Sequence, residues 1–480
     1  MRRGTQALFF TQIFSTISYC ILYSTLVLYG TEKLKLAPAV MTTLMGSYVA
    51  FNYGLHFLGG YMSGKFTSNR LLFIIGVGCQ VLACFIIAQT TFATLMLGLS
   101  VFLTGSGLNV TCMNNMVTQL FDDPKDPRRE KAFLWNYSGM NIGFFVGFLV
   151  AGYFELSKNY GALFTFGGCA SSLAIIIILL NWEKLRYKGT YLTEMTPEKQ
   201  RIQMAKGFGI IILLFIALIF LLRHAELSNI LISAIGILLV IITIFIGALR
   251  KNLDERNKML VFVILLLASF VFWSLYQLAP MGLMLFIANN VNLHMFGIQI
   301  APQWVSNINT VVIVFGGPIM GWGLVKLREK GYKISIPFLF SIALIQIGVG
   351  FAILPIGIHL ASVTGFTSFN WIFWSYILQS TGELCISPIV YAMIGELIPK
   401  KLQGMMMELN CMMSGLGGIT SNYLSIYAIG SDNTNLNPLV TNSGYSQMFG
   451  VIGYIALGFG ILMFLFTPLL YKIMEKHSHS

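Results

Sequence analysis

The feature that most constrains this chain is the recurrence of uncharged apolar runs along its whole length of 480 residues. A helix rises about 1.5 Å per residue and the hydrocarbon of a bilayer is about 30 Å thick, so a run of about 20 residues crosses it. Fourteen runs qualify, beginning near Ala7, Val40, Leu71, Phe92, Ala132, Gly161, Gly207, Leu227, Met259, Ser306, Ile334, Thr367, Leu402 and Gln447. Only 10% of the residues are charged and 56% are apolar, whereas a soluble domain carries roughly 25% charged residues. Most of this surface must therefore meet lipid, which excludes a soluble enzyme, a secreted disulfide scaffold and a disordered regulator. The expectation is an all-α polytopic membrane protein.

The net charge of +12 reads as topology rather than as a nucleic-acid footprint. With Arg2 and Arg3 cytoplasmic, the cations of alternate loops fall on one side: Lys65 and Arg70, Lys125 to Lys131, Lys184 to Lys206, Arg250 to Lys258, Lys326 to Lys333, Lys400 and Lys401, and Lys472 and Lys476. Lys33, Lys35, Lys158 and Arg223 fall on the other. This segregation supports fourteen spans with both termini cytoplasmic, in a bacterial-style cytoplasmic (inner) membrane. Met1-Arg2-Arg3 opens like a signal peptide, but the apolar run behind it is too long and lacks a small-x-small site, so it reads as a retained first span. The seven cysteines, Cys20, Cys79, Cys84, Cys112, Cys169, Cys385 and Cys411, are scattered through apolar runs without a metal-ligand spacing and read as small core residues.

Two charged linkers divide the spans into six, two and six. The expected organisation is a six-helix half over 1–182, a cytoplasmic linker over 183–206, an inserted two-helix hairpin over 207–250 and a second six-helix half over 251–480. The hairpin is rich in Ile and Leu on all faces, the pattern of a pair facing lipid with no cavity to line. Two six-helix halves are the architecture of the major facilitator superfamily, whose substrate site lies between the halves near the midplane.

Local motifs resemble one family of that superfamily, the proton-coupled oligopeptide transporters, over nearly the whole chain. Asp126-Pro127-Arg128-Arg129-Glu130-Lys131-Ala132-Phe133, followed by Met140-Asn141-Ile142-Gly143, is similar to D-P-R-R-D-x-A-F and I-N-x-G. Phe272-Trp273-Ser274-Leu275-Tyr276-Gln277 resembles F-W-x-x-x-E/Q, and Phe296-Gly297 with Pro302 and Trp304 resembles F-G-x-x-I-P-x-x-W. Gly382-Glu383-Leu384-Cys385-Ile386-Ser387-Pro388 resembles G-E-L-x-x-S-P. The inserted helix pair is also what bacterial members of the family carry.

The departures concern charge. Gln12, Ser15 and Thr16 stand where the first-helix E-x-x-E-R coupling motif belongs, Val110 where the fourth helix carries lysine, Gln277 where a glutamate belongs and Asn410 where a gate tryptophan belongs. The motif G-G-x-x-A-D-R has become Gly59-Gly60-Tyr61-Met62-Ser63-Gly64-Lys65, without its latch aspartate. Every Lys and Arg lies at a helix end or in a loop, so an anionic group in the membrane is held by neutral donors alone.

Glu383 is the sharpest candidate, roughly 15 residues or ~22 Å into its span. The resemblance implies that it binds a substrate amine, and it is also a candidate for the coupling proton; the blander alternative is a protonated acid bonded to a neighbouring helix. Glu408 and His56 are further proton-coupling candidates, set against a structural pairing for Glu408 and a carbonyl-bonded histidine for His56. Tyr19, Tyr23, Tyr53, Asn141, Asn309 and Ser414 match family positions that line the peptide pocket, and Gln277 and Asn410 complete the expected neutral walls. Polar stripes at helical period, Gln12–Ser15–Thr16–Tyr19–Tyr23 and Tyr376–Gln379–Glu383–Ser387–Tyr391, point the same way. Gly60-x-x-x-Gly64, Gly143-x-x-x-Gly147 and Gly317-x-x-x-Gly321 read as close helix contacts, and Pro280, Pro318, Pro355 and Pro388 as kinks.

Catalytic constellations, phosphate loops and metal clusters are absent from the sequence, so neither an enzyme nor a cofactor is expected, with the proton as the coupling ion. Expected partners are a small-molecule or short-peptide substrate and the lipid bilayer, with no nucleic acid and no obligatory protein. The reading is a transporter importing di- or tripeptides or related amine-bearing solutes by alternating access. An uncoupled facilitator and a non-translocating, transporter-derived receptor remain as alternatives.

Overall fold

The computed structural model describes residues 3–121, 123, 126–185, 190–295, 297–431 and 433–475. Arg2, Lys125, Arg186, Lys188, Phe296 and Lys476, used in the topology and motif arguments, lie outside the described residues. Helices dominate: α1 (Arg3–Leu28) running into a π-helical turn (Tyr29–Lys33), α2 (Pro38–Gly54), α3 (His56–Met62), α4 (Asn69–Ile87), α5 (Phe92–Gln119), α6 (Pro127–Leu156), α7 (Tyr160–Leu180), α8 (Pro197–Arg223) and α9 (Ala225–Ala248). They continue as α10 (Leu253–Tyr276), α11 (Gly282–Asn290), α12 (Pro302–Val305), α13 (Asn307–Glu329), α14 (Ile336–His359), α15 (Phe369–Ile386), α16 (Ile389–Leu397), α17 (Gln403–Ile429) and α18 (Pro438–Glu475). Two-residue strands sit only in loops: β1 (Val291–Asn292) pairs in parallel with β4 (Thr367–Ser368), and β2 (His294–Met295) turns back on β3 (Ile298–Gln299) through Gly297 at φ +77°.

Helix starts follow local chemistry. The Asp126 side chain accepts from the Arg128 backbone N–H at 2.9 Å ahead of Pro127, and Thr91 with Thr94 forms a reciprocal capping box on α5. Among the described residues, 12 helical stretches are long and apolar enough to cross a membrane. The other two expected spans take different forms. The one near Val40 is broken at Leu55 into α2 and α3, and α17 is long enough but carries Glu408, Asn410, Ser414, Ser421 and Asn422.

The chain forms two compact units, the first from Met1–Leu36 and Phe51–Ser228 and the second from Ala37–Ala50 and Asn229–Ser480. Within the first, α1 and α6 meet along three glycines. A Cβ on Gly143 would lie 2.6 Å from the Ile13 carbonyl oxygen, one on Gly139 2.8 Å from that of Phe9, and one on Gly147 2.6 Å from Cys20 Cβ. Gly76 on α4 and Gly105 on α5 approach each other the same way. In the second unit α14 and α18 cross at Gly348 and Gly453, where added Cβ atoms would meet backbone at 2.6 and 2.7 Å. Of the other expected small-residue pairs, Gly321 faces open space and Gly64 serves a turn at φ +71°, so those two are not close helix contacts.

The inserted pair α8 and α9 exposes many apolar side chains but is not lipid-facing all round. In the second unit Asn229 is fully buried and accepts from Ser47 Oγ at 2.8 Å, and Gly236 packs on Leu416. A polar residue in an apolar helix seeks a protein partner rather than lipid. The cysteines are free; Cys169 is exposed on its helix, unlike the buried Cys20, Cys84, Cys112 and Cys385.

An ionic clasp closes one end of the first unit. Lys158, at φ +53°, bridges Glu32 in the π-helical turn and Glu155 at the end of α6, donating to Glu155 at 2.7 Å; the Tyr160 hydroxyl donates to the same carboxylate at 2.8 Å. Burial pulls the Lys158 ammonium down, but the attraction of Glu155 and Glu32 outweighs it and holds the group above the ordinary lysine value. While the carboxylates stay ionised, the Lys158 contribution is thus complete below the ordinary lysine range and is lost as pH rises through the raised value.

Two outcomes follow from this packing. Gly143→Val forces α1 and α6 apart and should cost about 1–3 kcal/mol, read as a lower thermal midpoint of the detergent-solubilised protein, whereas Gly321→Val should leave the midpoint unchanged. Lys158→Met removes the ammonium from between two carboxylates and should lower the midpoint by several degrees. Adding Glu155→Gln to that variant should restore most of the loss.

Candidate functional site

In the second unit the carboxylate of Glu383, on α15, is met by side chains from two other helices. The Tyr276 hydroxyl, at the last residue of α10, donates to Glu383 Oε2 at 2.7 Å. Asn309 Nδ2, on the first turn of α13, donates to the same oxygen at 2.8 Å and to Ser380 Oγ at 3.1 Å. Both donors converge on Oε2. Among the described residues Oε1 has no hydrogen-bond donor and Glu383 no ion-pair partner, while its side chain stays partly accessible.

Local packing explains the convergence. A Cβ on Gly382 would come within 3.2 Å of Phe272 and 3.1 Å of the Ala343 carbonyl, so glycine at this position eases a close approach of α15 to α10 and α14. Phe272 stacks on Tyr276 at 5.9 Å between centroids, and Trp273 meets the Tyr276 ring edge-on at 5.2 Å. The phenol is thereby held where its hydroxyl reaches the carboxylate. Beyond Glu383 the helix is interrupted at Ser387 and Pro388, and Tyr391, on α16, is exposed rather than part of one buried stripe. Tyr376 and Gln379 are buried, with Gln379 bonded to Ser375 at 2.9 Å.

The remaining expected residues of this unit lie on α17 and at the end of α10. Asn410 is buried and accepts from Ser269 Oγ at 3.2 Å, one helix over; Ser414 and Gln277 are buried as well. Glu408 is partly buried and, among the described residues, has neither ion pair nor hydrogen bond. The structural pairing weighed for it is therefore not present among them.

The first unit holds the tyrosines. Tyr19 and Tyr23 stack at 5.8 Å on α1, Tyr19 meets Phe144 edge-on at 6.1 Å, and its hydroxyl accepts a long 3.5 Å bond from Asn52 Nδ2. Ser106 donates in turn to Asn52 Oδ1. Asn141 donates to the Tyr137 carbonyl of its own helix at 2.9 Å. Gln12 and Thr16 bond each other at 3.1 Å, and Ser15 turns to the Gln12 carbonyl, so these neutral groups satisfy one another along α1. Tyr53 stands against the His56 ring at 6.0 Å. The His56 carbonyl accepts from Thr111 Oγ1 at 3.1 Å, while ring Nε2 is buried without a hydrogen-bond partner among the described residues.

Sequence reasoning missed Tyr276, Ser380 and Ser269 in the second unit and Asn52 and Ser106 in the first. A helical-wheel reading of α10 offered one signal, since Ser269 and Tyr276 are seven apart and share a face; Ser380 lies one turn before Glu383. Among the described residues no three His, Cys, Asp or Glu side chains come together as a metal site requires. The arrangement offers an open carboxylate oxygen to a hydrogen-bond donor, above all a cationic one.

Known proteins bear on this architecture. The chain is 27% identical to dipeptide and tripeptide permease A of Chromobacterium violaceum over 460 residues, 95% of this chain and 91% of that protein. It is 25% identical to dipeptide and tripeptide permease B of Shigella dysenteriae over 480 residues, 98% and 96% of the two chains. Its fold superposes on the crystal structure of a peptide transporter POT in complex with sulfate with a TM-score of 0.86 at 23% identity, covering 98% of this chain and 96% of the other. A POT family transporter in complex with 5-aminolevulinic acid aligns with a TM-score of 0.83 at 20% identity, covering 98% and 96%. The sequence pattern of the POT family itself matches residues 70–437, well over half of the chain, and the protein therefore belongs to the proton-coupled oligopeptide transporter (POT) family.

Proposed function

We propose that this protein imports di- and tripeptides, or closely related solutes bearing a primary amine, by exposing a substrate site alternately to the two sides of the membrane. The observation that carries the reading is the Glu383 carboxylate, clamped at one oxygen by Tyr276 and Asn309 and open at the other. Placing a carboxylate in the membrane costs at least ~2.5 kcal/mol, and neutral donors offset only part of that. A substrate ammonium supplies the missing charge, with the Asn309 carboxamide oxygen, whose NH2 is already committed, as a second acceptor. Likeness over nearly full length to proteins named dipeptide and tripeptide permeases supports the substrate class.

Tyr19, Tyr23, Tyr53, Asn141, Gln277, Asn410 and Ser414 are proposed as neutral walls of the substrate site. The proton is the proposed coupling ion, taken up by Glu383 and, secondarily, Glu408 or His56, and no cofactor or metal is required. The membrane is the cytoplasmic one, with both termini inside, following the segregation of Lys and Arg. One observation favours uncoupled facilitated diffusion instead: the positions of the usual coupling motif, Gln12, Ser15 and Thr16, are neutral and bonded along their own helix.

Uptake of labelled dialanine into proteoliposomes separates the two. Accumulation above equilibrium under an inward proton gradient is expected, and equilibration without accumulation would establish the facilitator. In the same assay Glu383→Gln should weaken dialanine binding at least about tenfold by removing the charge that meets the amine. If binding and exchange survived and only gradient-driven accumulation were lost, Glu383 would be a proton carrier and not the amine site. With no cation in the membrane interior to hold a substrate carboxylate, dialanine and its C-terminal amide should compete within about threefold of each other. A large preference for the free acid would overturn that expectation.

A further inference from the structure

We infer that Tyr276 is a positioning residue for amine recognition: its hydroxyl, together with Asn309, fixes the Glu383 carboxylate so that Oε1 is presented to the ammonium of the substrate. The inference rests on the reading of Glu383 as the amine site and adds how that site is set before substrate arrives. A terminal carboxylate torsion is broad and nearly two-fold, so an unrestrained glutamate would present either oxygen in several orientations. Two donors on Oε2, at 2.7 and 2.8 Å, remove that freedom. They come from different helices, α10 and α13, so the carboxylate is held in two directions at once.

The tyrosine is itself held. Phe272 stacks on it at 5.9 Å and Trp273 meets it edge-on at 5.2 Å, while Phe272 is in turn pressed against Gly382, the residue before Glu383. Donor and acceptor are thus parts of one packed contact between α10 and α15, and the hydroxyl needs no reordering to reach Oε2. An orientation fixed in advance spares the substrate the cost of imposing it, which appears as affinity. The effect is specific to ligands that use the charge on Glu383, because a neutral N-acetyl group has no ammonium to place.

Binding of dialanine and of N-acetyl-dialanine to the purified full-length protein, measured by isothermal titration for wild type, Tyr276→Phe, Glu383→Gln and the double variant, tests this. Tyr276→Phe keeps the ring and its packing and should weaken dialanine by about five- to tenfold, the part of that hydrogen bond's effect that reaches affinity through the orientation of the carboxylate, with no change for the N-acetyl ligand. In the Glu383→Gln background the same substitution should have no further effect. Unchanged or tighter dialanine binding by Tyr276→Phe would overturn the positioning role, as would equal weakening of both ligands or an undiminished effect without the Glu383 carboxylate. If the wild type binds dialanine no better than its N-acetyl derivative, or if Glu383→Gln leaves dialanine binding intact, the amine-site reading fails and the role of Tyr276 falls with it.

Discussion

In lipid an apolar helix gains little by exchanging acyl chains for another apolar helix, so close backbone approach becomes the main source of attraction. The glycines determine where that happens here. Gly139, Gly143 and Gly147 let α6 rest on the backbone of α1, Gly76 and Gly105 join α4 to α5, and Gly348 and Gly453 join α14 to α18. Each contact excludes even a methyl group, which fixes rotation and register as well as distance. Side chains mounted on such helices inherit that precision. Gly382 is a looser case, where α15 packs on Phe272 of α10 next to the Tyr276–Glu383 hydrogen bond.

Polar groups in this setting find partners within the protein, and most of the side-chain pairs seen between helices are formed without charge. Asn52 links Ser106 to Tyr19, Gln80 accepts from Asn109 at 2.8 Å, and Asn410 accepts from Ser269. On α1 Gln12, Ser15 and Thr16 hydrogen-bond locally and exchange no protons near neutral pH. Glu383 stands apart in that company. Its two neutral donors can stabilise a carboxylate but cannot neutralise it, so a cation or a proton is the natural complement of the open oxygen.

What was legible in the sequence is what depends on period and composition. Runs of about 20 apolar residues announce helices because lipid leaves the backbone no alternative, and Glu383 announced itself because a carboxylate in such a run is costly. The partners of Glu383 were not legible. Tyr276 and Asn309 are 107 and 74 residues away in sequence, and nothing in the local pattern of α10 says which neighbour its last tyrosine meets. The exposed Tyr391 failed as part of a stripe for a related reason: Pro388 interrupts the helix, and periodicity does not carry across a break. The docked face of α9 was hidden because Asn229 is one of a few scattered polar residues in an Ile- and Leu-rich helix, and its role is visible only once Ser47 is seen to reach it.

The breaks share a further physical logic. Where a membrane helix is interrupted, backbone groups lose their intrahelical partners and need replacements from protein. Between α2 and α3 the His56 carbonyl receives the hydroxyl of Thr111 from α5, at 3.1 Å. Between α10 and α11 the Gly282 N–H is accepted by Ser425 Oγ from α17, at 2.9 Å. Between α15 and α16 Pro388 has no N–H to satisfy, and the Ser387 N–H still reaches the Glu383 carbonyl at 2.9 Å. At the first two breaks a side-chain hydroxyl from another helix partners the backbone, and at the third proline removes a donor that would otherwise need one. Two of these breaks flank the Tyr276–Glu383 contact, one just after the tyrosine and one just after the glutamate. A change in angle at either would alter the geometry of that hydrogen bond.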